Sequence, residues 1–143
     1  MSELPLKGYD SLCKKDAETI VSKDKKNSQC HIAHNPKKSY VTHYKIDGVV
    51  LLSGNKCDYL VMNETEKRAF LIELKGSDLC YAAKQLENTA KSLEKSLATY
   101  ALHFRIIANK CKTQEIESSE FKKYRMRWGK KLIYRSAKYE EDI

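Results

Sequence analysis

Two short segments, CDYLVM at 57–62 and RAFLIELK at 68–75, constrain this fold more than anything else in the chain. The polar connection NETEK joins them. Their length and their β-branched and aromatic content predict two strands, and the connection predicts a hairpin. Side chains alternate between faces along a strand. Tyr59, Val61, Phe70 and Ile72 therefore share one face, and Leu60, Met62, Ala69 and Leu71 share the other. Both faces are apolar, as in central strands covered on both sides, and the pattern predicts helices above and below the sheet.

Other elements arrange themselves around this hairpin. Residues 9–22 carry Leu12, Cys13, Ala17, Ile20 and Val21 at helical spacing and predict a first helix. Residues 23–38 are polar and lysine-rich and predict a long functional loop. Residues 39–53 predict a strand bent at Gly48, where Asp47 serves the bend, and Gly54–Asn55 a turn. From a Ser77 cap to about residue 98, apolar residues recur as in an amphipathic helix. A strand at 101–109 follows, with a right-handed parallel crossover expected. A short helix over 117–127, a last strand in KKLIYRSA and a polar tail complete the chain as one domain spanning residues 1–143.

Within the hairpin, Glu73 and Lys75 stand two residues apart and share a face. Burying such a pair is costly unless the charges are matched or bind an ion. A connection symmetric about residues 65 and 66 sets Asp58 directly opposite Glu73, with Cβ atoms about 5 Å apart. Two carboxylates at that separation repel, and a divalent cation relieves the repulsion. Mg²⁺ takes one or two carboxylates and completes its shell with water and substrate phosphate. Asp58 and Glu73 are thus candidate ligands for Mg²⁺ (or Mn²⁺), and Lys75 a candidate for positioning the attacking water. The simpler reading of Glu73 and Lys75 is a strand-end ion pair; the apolar flanks and Asp58 favour the site.

An aspartate fifteen residues before Glu73-Leu74-Lys75, on a hairpin followed by a helix, resembles the PD-(D/E)xK nuclease superfamily, the restriction-endonuclease-like fold. Cys57 stands where the superfamily's name has proline. The resemblance implies an α/β domain with an α-β-β-β-α-β core over about residues 9–109, a mixed sheet flanked by helices. It also implies a metal-dependent endonuclease acting on DNA. Some members supply a further metal ligand from the first helix, where Glu18 stands. Many carry a polar residue on the helix after the lysine strand, where Gln85 stands.

The net charge of +8 points to a polyanionic partner. No basic amphipathic helix with an aromatic apolar face is evident, so nucleic acid, DNA first, is expected rather than a membrane. Within the basic extension at about 110–143, residues 121–138 hold eight basic residues and no acidic one. Phe121, Tyr124, Trp128 and Tyr134 are interleaved among them. Lys122, Lys123, Arg125, Arg127, Lys130 and Lys131 are the expected phosphate contacts, and the rings the expected stacking surfaces. A chain this short suggests a homodimer or a larger protein partner for reaching both strands of a duplex. A nuclease fold retained only for binding, and a nuclease acting on RNA, are the alternatives.

Cys30, His31 and His34 in CHIAH are zinc-ligand types without a second pair to complete a tetrahedral set. The five cysteines form no CxxC and their number is odd, which predicts free thiols in a reducing, cytoplasmic setting. No apolar run is long enough to span a bilayer, and MSELPLKGYD lacks a secretory signal's apolar stretch.

Overall fold

A computed structural model describes residues 6, 8–24, 28–52, 54–74 and 78–143. The expected hairpin is present as β4 (Tyr59–Asn63) and β5 (Arg68–Glu73), paired antiparallel with Tyr59 opposite Ile72. Its turn closes with Lys67 at φ +56° and with the Glu66 N–H donating to Asn63 Oδ1. β3 (Val41–Lys45) flanks β4, and β6 (Ala101–Ala108) runs parallel to β5. β7 (Leu132–Ser136), parallel to β6, completes a five-stranded sheet in the order β3-β4-β5-β6-β7.

Helices cover one face of this sheet. α1 (Leu79–Ser92) crosses from β5 to β6, and α2 (Thr113–Ile116) and α3 (Ser119–Trp128) lie between β6 and β7. Asp78 caps α1 by accepting from the Tyr81 N–H; the Ser77 expected in that place lies outside the described residues. Leu79, Ala82, Ala83 and Leu86 pack on Leu60, Met62, Ala69 and Leu71, the hairpin face expected to be apolar. The apolar stripe continues into Leu93 and Leu97, which stay buried in turns beyond the helix end.

The opposite face meets no helix among the described residues. It is covered by a second sheet in which β2 (Cys30–His34) lies between β1 (Thr19–Lys23) and β8 (Lys138–Asp142). Three expectations are corrected by this sheet. Residues 9–18 form bends and turns rather than a first helix, and β1 follows them. The long loop at 23–38 contains β2, and the polar tail is β8. The specific α-β-β-β-α-β order therefore lacks its first helix, while β-β-β-α-β is present.

Ala137, at φ +67°, carries the chain from one sheet to the other. Its N–H donates to Ala108 on the large sheet, and its carbonyl accepts from Cys30 on the small one. Between the sheets, Ile20, Ala33 and Ile143 pack on Val61, Phe70, Ile72 and Ile107. Arg105, 4% exposed, is also enclosed there. Its Nε and Nη2 grip Glu141 at 2.7 and 2.9 Å, and Nη1 donates to the carbonyls of Phe104 and Lys131. His31 Nε2 joins the same carboxylate at 2.7 Å. Burial alone would raise the Glu141 pKa; the hydrogen bonds from His31 and Arg105 outweigh it and hold it at about 2.

Candidate active site

Asp58 stands beside the C-terminal end of β5, the strand end that carries Glu73. The regular register ends at the Tyr59–Ile72 pair, because the Asp58 N–H donates to the Ile72 carbonyl at 3.1 Å rather than to Glu73. Asp58 Oδ2 accepts from the Leu74 N–H at 2.9 Å, which draws its side chain across β5 towards Glu73. Lys45 reaches Asp58 Oδ1 from the end of β3, at 3.6 Å, and also lies over the Tyr59 ring. The Asp58 side chain keeps 15% of its surface exposed, whereas Glu73 is fully enclosed.

The floor of the site is a chain of hydrogen bonds from α1. Thr89 Oγ1 accepts from the Cys57 N–H and donates to the Gln85 carbonyl, both at 2.8 Å. Gln85 Nε2 donates to the Lys56 carbonyl at 3.3 Å. Gln85 is thus 5% exposed and aimed at the segment leading into Asp58. Its Oε1 is buried with no hydrogen-bond partner among the described residues. Burial pushes the Cys57 thiol pKa well up, and the nearby Glu73 and Asp58 carboxylates push it further. Cys57, where a proline was absent, is therefore an un-ionised packing residue.

Other predicted residues lie elsewhere. Lys75 is outside the described residues. Glu18 sits at the far end of β1 from Lys23, whose carbonyl accepts from Tyr59 Oη at 3.0 Å. Five strand residues separate the two ends, about 15 Å, and the Glu18 side chain pairs with Lys38 instead. Glu18 is not brought to Asp58, because the helix that would have turned it there is a strand. Asp47 forms the expected turn, bridging to Leu51 with Gly48 at φ +81°.

The basic stretch divides into surface cations and core rings. Phe121 is buried, Tyr134 meets it edge-on, and Trp128 stacks on Phe104 at 3.9 Å between centroids. Tyr124 leans on Trp128. These rings hold α3 to the sheet; Phe121 is enclosed, while Tyr124, Trp128 and Tyr134 stay half-buried. Lys122 and Arg125 pair with Glu117, and Arg127 with Glu87. Lys123, Lys130 and Lys131 have no ion-pair partner among the described residues.

CHIAH is part of β2: His31 binds Glu141, and exposed His34 pairs with Glu140 at 2.9 Å. His43, on the same side of the large sheet, hydrogen-bonds Ser22 at 3.0 Å and stacks on Tyr59. Burial, aided by the charge of His31, lowers its pKa to about 4.

Among the described residues, no group of three or more His, Cys, Asp or Glu side chains is placed to hold a metal. Two carboxylates suffice for Mg²⁺, which keeps several waters, and hard carboxylate oxygens suit that ion. Asp58 and Glu73 thus fit the expected metal. Sequence reasoning missed Lys45 and Tyr81, which borders the site; Lys45 closes a strand-forming run whose register against Asp58 only β3–β4 pairing sets. No protein-family model, curated protein or solved structure matches the chain. No helix among the described residues is long and apolar enough to cross a membrane.

Proposed function

We propose that the protein is a metal-dependent nuclease that hydrolyses phosphodiester bonds in DNA. The observation that carries this reading is the Asp58 carboxylate accepting from the Leu74 N–H, which ties it to the strand end that carries buried Glu73. Carboxylate oxygens at the end of one strand pair are hard donors of the kind that Mg²⁺ takes. Asp58 and Glu73 would hold Mg²⁺ or Mn²⁺, which supplies Lewis-acid polarisation of the phosphoryl oxygen and a bound water of lowered pKa. Asp58 is kept in place by the Leu74 N–H, and the amide oxygen of Gln85 is buried without a hydrogen-bond partner among the described residues. Lys75, next but one to Glu73 in sequence, is assigned to orienting the water. Exposed cations, Lys123 and Lys130 among them, would hold the phosphate backbone.

Incubation of plasmid, single-stranded and branched DNA with the protein and Mg²⁺ or Mn²⁺ tests the reading. Metal-dependent cleavage, lost in Glu73→Ala and in Lys75→Ala, is the expected result. Binding without cleavage on every substrate and metal would replace it with a non-catalytic module, and cleavage of RNA alone would change the substrate.

A further inference from the structure

The segment that leads into Asp58 carries an exposed apolar rim. Val49 is 52% exposed, Leu52 82%, and Tyr81, across on α1, 45%. The exposure is built in rather than a product of looseness. The Ile46 carbonyl accepts from the N–H groups of Val49, Val50 and Leu51, and Gly48 N–H donates to the Leu51 carbonyl. Asn88 Nδ2 donates to the Asn55 carbonyl at 3.1 Å, and the Tyr81 hydroxyl donates to Asn55 Oδ1. Tyr81 and Gln85 stand four residues apart and share a face of α1. Gln85 touches Lys56 and Tyr81 touches Asn55, so the ring stands one helical turn from the floor of the site.

A ring held upright by its hydroxyl is a platform for a planar ligand, and Leu52, exposed on the segment that leads to Asn55, is shaped as a wedge. Lys56, half-buried on the same segment, supplies a cation without an ion-pair partner among the described residues. Aromatic platform, apolar wedge and cation together match an unstacked nucleotide: base on the ring, phosphate towards the carboxylates. Bases inside an intact duplex are already stacked and cannot reach the ring.

We propose that Tyr81 and the 49–52 loop hold an unpaired nucleotide beside Asp58 and Glu73, so that the substrate is single-stranded or locally unpaired nucleic acid. This assignment rests on the nuclease reading for the purpose of the contact, and its test is separable from that reading. Fluorescence anisotropy of labelled single-stranded and duplex oligonucleotides, without divalent metal, measures binding by wild type, Tyr81→Ala, Tyr81→Phe and Leu52→Ser. Wild type is expected to prefer the single strand. Tyr81→Ala should weaken single-strand binding about tenfold, Leu52→Ser a few-fold, and neither should change duplex binding. Tyr81→Phe keeps the ring and should retain the preference.

Equal affinity for duplex and single strand, binding of neither, or an unchanged Tyr81→Ala variant would overturn the proposal. So would a Leu52→Ser variant that turns a dimer into a monomer without altering oligonucleotide binding, since the rim would then be a subunit interface. Cleavage of the same oligonucleotides with Mn²⁺ is scored separately. Tyr81-dependent binding without cleavage removes the nuclease reading and keeps this one; cleavage with no dependence on Tyr81 does the reverse.

Discussion

The five-stranded sheet buries an acidic centre on each face, and the two are built oppositely. Between the sheets, Glu141 is matched by Arg105 in a two-point grip and by His31, so its charge is neutralised by fixed partners. At the C-terminal end of β5, Asp58 accepts from the Leu74 N–H just past Glu73, with Lys45 reaching its other oxygen from a partly exposed position. The first arrangement ties strand β8 to strand β6 and stabilises the fold while occupied by nothing else. The second lies at a strand end where Asp58 keeps part of its surface open to solvent. Buried acids alone do not mark a site; what surrounds them does.

The largest expected effect lies on the matched side. Arg105→Met leaves Glu141 enclosed without its main partner and should cost about 3–5 kcal/mol in guanidinium unfolding. A loss below about 1 kcal/mol would show that the grip is dispensable and would blur the contrast. His43, on that same side, gives the next effect. Its folded pKa of about 4 lies below the usual 6.5, so the unfolded chain binds more protons between those values. Its contribution is complete above about pH 6.5 and falls as pH drops towards 4, by up to about 3 kcal/mol. Urea unfolding across that window should show the decline, with a shallower slope in His43→Phe.

On the opposite face the order of effects inverts. Glu73→Gln, which keeps the shape of the side chain, should lower metal-dependent cleavage by at least about 100-fold, yet change stability by less than about 1 kcal/mol. A large loss of stability would make this acid structural, like Glu141. The smallest effect belongs to the surface: Lys123→Ala and Lys130→Ala should each reduce the salt dependence of DNA binding by about one unit of slope.

The helix-side centre was legible in the sequence because its geometry is local. A five-residue polar connection between two strands apolar on both faces fixes the register, which pairs Tyr59 with Ile72 and ends one residue short of Asp58 and Glu73. The matched centre was hidden because its partners lie far apart: Glu141 is 36 residues from Arg105 and 110 from His31. Its polar interior also erased the strand signal. In β2 the inward residues are His31 and Ala33, and in β1 they are Ile20 and Ser22, so no hydrophobic alternation appears. The helical stripe read through Leu12, Cys13, Ala17, Ile20 and Val21 was a coincidence of spacing; Leu12 and Val21 are exposed. One signal did exist. Arg105 interrupts the strand HFRIIA, and a charge inside a buried strand demands a counter-charge somewhere in the chain.

Calorimetric titration of Mn²⁺ into the DNA-free protein tests the shared-cation claim most directly. One bound ion per chain in wild type, abolished by Glu73→Gln and by Asp58→Asn while the folded state persists, is the predicted result. No binding, or binding that survives both substitutions, would contradict it.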